Sequence, residues 1–123
     1  MPNPRLLIID DNEEILNTLK TFLSKKQFDV VVASNGLDGL KLFEAAIDDF
    51  DLVITDLVMP NIGGVALISI FKKRMPSLPV IAITGYGEQP ESLAREVRAD
   101  VVLEKPFKLD GLEKAIKDLL QKE

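Results

Sequence analysis

The chain has 123 residues, 46% of them hydrophobic, which is enough apolar material for one globular domain. It contains no Cys and no His, which excludes disulfides, thiolate nucleophiles, zinc–thiolate sites and histidine bases, and leaves carboxylates, hydroxyls, Lys and backbone groups. The net charge of −5 argues against direct nucleic-acid binding, and no segment approaches the roughly 20 apolar residues of a membrane span, so we expect a cytoplasmic protein.

Short apolar runs alternate with longer amphipathic segments along the chain. The runs predict strands at residues 6–9, 30–33, 52–55, 80–83 and 101–103. Apolar residues at helical spacing predict helices around residues 15–23, 37–47, 65–75, 92–97 and 109–120. Ser34 or Asn35 is the expected cap of the second helix, and Asp110 is a better cap for the last helix than Lys108.

This alternation predicts the fold class. Continuously apolar strands separated by helices favour a parallel sheet that is covered on both faces. Right-handed crossovers then give an open, doubly wound α/β sheet. No linker, repeat or low-complexity segment interrupts the pattern, so we predict a single domain over residues 1–123.

Polar residues follow the predicted strands where each strand ends. They are Asp10 and Asp11 after the first strand, Asp56 after the third, Thr84 after the fourth and Lys105 after the fifth. Ligands of doubly wound sheets bind beyond the carboxyl ends of the strands. We therefore expect these five side chains to meet at one edge of the sheet.

Three clustered carboxylates repel one another, so either a cation relieves the repulsion or one of the carboxylates stays protonated. Mg²⁺ suits such a site, because it prefers oxygen ligands and keeps waters and phosphate oxygens among them. Asp11 and Asp56 are candidate direct ligands, Asp10 a candidate for holding a metal-bound water, and Lys105 a second positive charge. An aspartate carboxylate can also attack phosphorus and form an acyl phosphate, one of whose oxygens the Thr84 hydroxyl could bind.

Each of these residues also has a purely structural interpretation. Asp10 or Asp11 could cap the first helix, and Asp56 could be a turn residue. Thr84 could satisfy a backbone group, and Lys105 could be a solvated surface lysine. The functional hypothesis rests on all five arriving at one edge, which these separate explanations do not predict.

Four motifs in this order resemble the response-regulator receiver domain of two-component signalling, over residues 5–121. The motifs are Ile8-Ile9-Asp10-Asp11, the segment 56–60 with Gly64, Ile83-Thr84-Gly85 and Lys105-Pro106-Phe107. The resemblance implies a flavodoxin-like fold with five parallel strands in the order 2-1-3-4-5 and five helices. It also implies a signalling switch that catalyses only its own phosphorylation and dephosphorylation, not an enzyme acting on free metabolites.

The resemblance also assigns roles to the site residues. Asp56 would be the phosphoacceptor, and Mg²⁺ would be bound by Asp56, Asp11 and the backbone carbonyl of Val58, with Asp10 acting through water. Thr84 would be the switch hydroxyl, and Lys105 would precede a cis peptide bond to Pro106. The implied partners are a sensor histidine kinase or phosphotransfer protein, and an output domain or effector on the face of the fourth helix, fifth strand and fifth helix.

Two positions depart from the family pattern. Val102 lies three residues before the lysine, where many receivers carry a Tyr or Phe whose ring moves on phosphorylation. Tyr86, the only tyrosine, lies in the loop after Thr84, and the sequence does not show that it takes over this role. Arg98 occupies a position at the end of the fourth helix where glycine is often found.

Three other functions share part of this pattern. A flavodoxin-like electron carrier needs phosphate-binding donors after the first strand, where this chain has Asp10 and Asp11. A phosphatase of the haloacid-dehalogenase type needs a second Asp two residues after its nucleophile, where this chain has Val58. The third is a degenerate receiver that binds partners without being phosphorylated, which fits poorly with a chain that retains all five polar residues.

Overall fold

A computed structural model describes residues 3–59, 61–85 and 98–121. The five strands are β1 (Arg5–Ile9), β2 (Asp29–Ala33), β3 (Leu52–Asp56), β4 (Val80–Thr84) and β5 (Val101–Glu104). They form one parallel sheet in the order β2-β1-β3-β4-β5, as expected. The helices of the described residues are α1 (Glu13–Lys25), α2 (Gly36–Ala45), α3 (Gly64–Arg74) and α4 (Leu109–Leu120).

The helix α4 corresponds to the fifth helix predicted from the sequence. The predicted fourth helix, at residues 92–97, lies outside the described residues, and so does Tyr86. The described residues therefore include four of the five expected helices.

The core forms two layers, one on each face of the sheet. One layer packs α2 and α3 against alternate strand residues, with the Phe43 and Phe71 rings 4.4 Å apart. The other layer packs α1 and α4 against the opposite face, through Leu19 and Ile116 among others. All five residues of β3 and of β4 are buried, which explains why these strands read as continuous apolar runs that end in polar residues.

The helix starts refine the predicted capping. Asn12 caps α1, since its side chain accepts a hydrogen bond from the Ile15 amide at 3.1 Å. Asn35, one of the two expected candidates, caps α2. The last helix begins earlier than capping chemistry suggested: Lys108 is its cap residue, without a side-chain cap bond, and Asp110 lies in the first turn.

Two backbone features correspond to positions singled out in the sequence. The Lys105–Pro106 peptide bond is cis, as the resemblance implied. Arg98 has a φ of 57°, which is the left-handed conformation that favours glycine. None of the helices in the described part of the chain is long and apolar enough to cross a membrane.

Candidate functional site

The sheet register brings the polar strand ends together. The pairing of β1 with β3 ends at Ile9 and Thr55, so that Asp10 and Asp56 follow side by side at the carboxyl edge. On the other side of β3, Asp56 is paired with Ile83, one residue before Thr84. Parallel pairing therefore carries residues that are far apart in sequence to one edge, as the strand order requires.

Lys105 is paired with two aspartates at this edge. Its Nζ donates to Asp10 Oδ2 and to Asp56 Oδ2, at 3.2 Å in each case. The two carboxylates are almost completely buried, whereas the lysine side chain is 24% exposed. Lys105 is therefore not a solvated surface lysine: it compensates buried negative charge.

Backbone amides hold the second oxygen of each of these carboxylates. The Asn12 amide donates to Asp10 Oδ1 at 2.9 Å, and the Val58 amide donates to Asp56 Oδ1 at 3.2 Å. Both carboxyl groups are thus oriented by a loop amide on one oxygen and by Lys105 on the other. The structure assigns the capping of α1 to Asn12, which removes that structural explanation for Asp10 and Asp11.

The electrostatics of the site are unfavourable for an isolated carboxylate. Burial raises the pKa of Asp10, and the nearby charge of Asp56 adds to this, whereas the Asn12 amide and Lys105 act in the opposite direction. Burial alone would lower the pKa of Lys105, but the two carboxylates beside it outweigh that effect and raise its pKa. Lys105 therefore stays charged, and a proton or a second cation at the carboxylates would relieve the remaining repulsion.

Asp11 completes a cluster of acids that suits a divalent cation. One carboxylate oxygen from each of Asp10, Asp11 and Asp56 lies within 4.8 Å of the other two. At that separation two carboxylates repel by roughly 3 kcal/mol at the effective dielectric constant of a protein surface. Three carboxylates facing one ammonium group leave a formal excess of two negative charges, which matches one Mg²⁺. The exposure of Asp11 leaves one side of the cluster open to solvent.

Thr84 is buried at the end of β4 with an unpaired hydroxyl. Its Oγ1 has no hydrogen-bond partner within the part of the chain that the structure describes. The proposed structural role for this residue, satisfying a backbone group with its side chain, is therefore not observed. Its own carbonyl accepts a hydrogen bond from the Lys105 amide at 2.8 Å, which ties the two residues together. A buried hydroxyl without a partner is costly, and a ligand oxygen would satisfy it.

Two further residues shape the site: Thr55, which the sequence analysis did not single out, and Gly64, which it named only as part of a motif. Thr55 is completely buried, and its hydroxyl donates to the Asp56 carbonyl at 3.0 Å. Gly64 lies against the same carbonyl group, so closely that a Cβ there would overlap the Asp56 oxygen. A hydroxyl at the end of an otherwise apolar strand and a glycine at a helix start were the available signals.

The sequence matches the profile of a family described as the response regulator receiver domain, over residues 6–117. The chain belongs to this family. Among curated proteins, it is similar to the transcriptional regulatory protein GlrR of Escherichia coli K12, with 34% identity over 94% of this chain and 26% of that protein.

Solved structures support the same assignment for the receiver domain. A response regulator receiver domain protein from Clostridium thermocellum superposes with a TM-score of 0.88 at 32% identity, covering 95% of this chain and 94% of that chain. The response regulator TrrA of Thermotoga maritima, in complex with Mg²⁺-BeF, gives a TM-score of 0.82 at 30% identity, covering 94% of this chain and 98% of that chain.

The chain spans about a quarter of the length of GlrR and about half of a CpxR homolog from Haemophilus influenzae. Receiver domains of this family are the phosphorylation-dependent signalling modules of two-component systems. The acidic cluster at Asp10, Asp11 and Asp56 fits that function in this receiver domain.

Proposed function

We propose that Asp56 is the phosphoacceptor of this receiver domain and that a phosphohistidine on a partner kinase or phosphotransfer protein is the donor. A carboxylate oxygen of Asp56 attacks phosphorus, the N–P bond of the donor breaks, and the released imidazole nitrogen takes a proton. The observation that carries the proposal is the position of Asp56, which is buried beside Asp10 and paired with Lys105 at 3.2 Å.

The acid cluster supports Mg²⁺ as the cofactor. Asp11 and Asp56 would be direct ligands together with the Val58 carbonyl, and Asp10 would hold a metal-bound water. When bound, the cation neutralises charge on the cluster and on the phosphoryl oxygens. The match between its two positive charges and the excess charge of the cluster supports this choice.

The chain's own residues would then hold the product. Lys105 is positioned to balance the charge of an aspartyl phosphate, because it already contacts Asp56 Oδ2. The unpaired Thr84 hydroxyl would donate to a phosphoryl oxygen and so gain the partner that it lacks. Phosphoryl transfer requires positioning and charge stabilisation rather than a strong base, which fits a chain without histidine.

The switch would operate through these two residues. Phosphorylation shifts a conformational equilibrium only if it interacts differently with the two states. Because Val102 replaces the aromatic residue of many receivers, Thr84 and Lys105 would carry this difference. Their backbones are joined by the Lys105 amide, so that movement of Thr84 reaches the start of the loop before α4.

Several wider expectations accompany this proposal. Residues 1–123 would act as one receiver domain in the cytoplasm, turning over no free metabolite and contacting no nucleic acid directly. An output domain or effector would bind the face formed by the predicted fourth helix, β5 and α4. The exposed face of α4 supports this, whereas residues 92–97 lie outside the description.

A phosphorylation assay tests the proposal. Purified protein is incubated with acetyl phosphate, with Mg²⁺ or with EDTA, and intact mass spectrometry records the addition of one phosphoryl group. Wild type should be phosphorylated only with Mg²⁺, and Asp56→Asn should not be phosphorylated. Asp48→Asn, which changes an exposed carboxylate far from the site, should behave like wild type.

Two outcomes would contradict the proposal. Phosphorylation that persists in Asp56→Asn would show that the phosphoacceptor is another residue. A wild type that binds Mg²⁺ but never gains a phosphoryl group would instead favour a receiver that acts without phosphorylation.

A further inference from the structure

Thr55 is a buried polar residue in a strand whose other side chains before Asp56 are apolar. Leu52, Val53 and Ile54 precede it, and Thr55 itself is 0% exposed. A valine would fill nearly the same volume and suit a strand equally well. Burying a hydroxyl without a partner is costly, so the partner that it finds indicates why it is there.

That partner is the backbone carbonyl of the next residue, Asp56. The Thr55 hydroxyl donates to it at 3.0 Å. The pairing of β1 with β3 ends at Ile9 and Thr55, so Asp56 lies one residue beyond the last partner on that side. The Asp10 amide, one residue after β1, faces the other neighbouring strand and donates to the Ala33 carbonyl of β2. Within the part of the chain that the structure describes, no loop amide donates to the Asp56 carbonyl, and the Thr55 hydroxyl supplies a hydrogen bond to it.

Gly64 packs closely against the same carbonyl group from another side. A Cβ on Gly64 would overlap the Asp56 oxygen and would lie 2.9 Å from the Asp56 carbonyl carbon. The Gly64 amide also donates to the Leu57 carbonyl at 3.0 Å. The Leu57 amide of the peptide group after Asp56 donates to the Ile83 carbonyl of β4 at 2.9 Å, while the carbonyl side of that peptide group is held between the Thr55 hydroxyl and the start of α3.

We infer that Thr55 is a positioning residue, whose hydroxyl fixes the Asp56 peptide group and thereby the direction of the Asp56 carboxylate. The inference deepens the proposed function and rests on it for its catalytic consequence. The carboxylate must meet Lys105 at 3.2 Å and the Val58 amide at 3.2 Å at the same time. A small rotation of the peptide group would disturb both contacts, and phosphoryl transfer depends on such alignment.

Three substitutions distinguish a positioning role of the Thr55 hydroxyl from a contribution of its side chain to core packing. Thr55→Val removes the hydroxyl and keeps the shape, whereas Thr55→Ser keeps the hydroxyl and removes a methyl group. Val53→Ala is the matched control, because it opens a cavity on the same face of β3 without touching the Asp56 carbonyl. All variants are compared at a temperature where unfolding curves show them to be folded.

Two readouts are recorded for each variant. Mg²⁺ titration followed by the Leu57 and Val58 amide resonances reports site geometry without phosphorylation. Phosphorylation at increasing acetyl phosphate concentration gives the maximal rate and the half-saturating donor concentration. We expect Thr55→Val to shift both amide resonances, to weaken Mg²⁺ binding by about threefold and to lower the maximal rate by about tenfold, with the half-saturating concentration little changed. Thr55→Ser should restore most of both losses, and Val53→Ala should show neither.

The outcomes distinguish this inference from the proposed function. Wild-type values for Thr55→Val in both readouts would overturn the positioning role, and so would equal losses in Thr55→Val and Val53→Ala. If no variant, wild type included, is phosphorylated, the proposed function fails. The resonance shifts and Mg²⁺ affinities then still decide whether Thr55 positions Asp56.

Discussion

The replacement of Gly64 by alanine should damage both stability and function, although the change adds only one methyl group. The new Cβ would overlap the Asp56 carbonyl oxygen and lie 2.7 Å from Leu57 Cα. Carbon atoms in contact are normally about 3.5–4.0 Å apart, so the backbone must move by roughly 1 Å. Neither neighbour can rotate away as a side chain would, because both are backbone atoms.

The expected cost follows from that geometry. Overpacking of this kind typically costs about 1–3 kcal/mol, and we expect Gly64→Ala to lower the free energy of unfolding by about 2–3 kcal/mol. Gly111→Ala is the matched control, since nothing lies within 4 Å of a Cβ at that exposed position of α4. There the same change should stabilise the protein by about 0.5–1 kcal/mol, because alanine favours the helix.

Urea unfolding followed by circular dichroism measures both variants. The opposite signs are the essential result, because a general effect of alanine would move both proteins in the same direction. Gly64→Ala should also slow phosphorylation under conditions where it is folded. A Gly64→Ala variant as stable as wild type would refute the contact with the Asp56 peptide group.

Four further predictions concern charge, metal binding, switching and backbone strain. Burial raises the pKa of Asp10 in the folded protein above the ordinary aspartate value of 3.8. As the pH rises above that value, metal-free wild type should therefore lose stability relative to Asp10→Asn. Urea unfolding in EDTA from about pH 4 to about pH 8 measures this difference. Mg²⁺ at roughly one hundred times its dissociation constant should stabilise wild type by about 2.7 kcal/mol and Asp10→Asn by less, and an equal gain in both would contradict the site. Thr84→Val should still be phosphorylated, but most of the changes in amide resonances that phosphorylation causes in wild type should be lost. Changes in the variant as large as those in wild type would argue against a switch through this hydroxyl. Arg98→Gly should raise the free energy of unfolding by about 0.5 kcal/mol, since glycine adopts the φ of 57° without strain, and a loss of stability would oppose this.

The sequence predicted the sheet and the position of the site for a physical reason. Buried parallel strands must be continuously apolar, so their ends are visible as the points where Asp10, Asp56 and Thr84 begin. Parallel strands place such ends at one edge, which is why residues 95 positions apart, Asp10 and Lys105, were expected to meet and do meet. The roles assigned to these residues remain predictions.

Other features depended on tertiary contacts that no local pattern shows. The last helix starts at Leu109, where Phe107 and Leu109 pack on the core, and this burial outweighs the better capping chemistry of Asp110. Ile47 packs on the core from the turn after α2 rather than from the helix itself. The partner of the Thr55 hydroxyl could not be read from the sequence either, because it depends on where β1 stops pairing with β3.

The most direct test of the central claim locates the phosphoryl group chemically. Protein phosphorylated in Mg²⁺ is treated with borohydride, which reduces an aspartyl phosphate to homoserine, and peptide mass spectrometry identifies the modified position. We predict homoserine at residue 56 and only in samples that contained Mg²⁺. Homoserine at residue 10 or 11 instead, or equal labelling at position 56 in EDTA, would contradict the account.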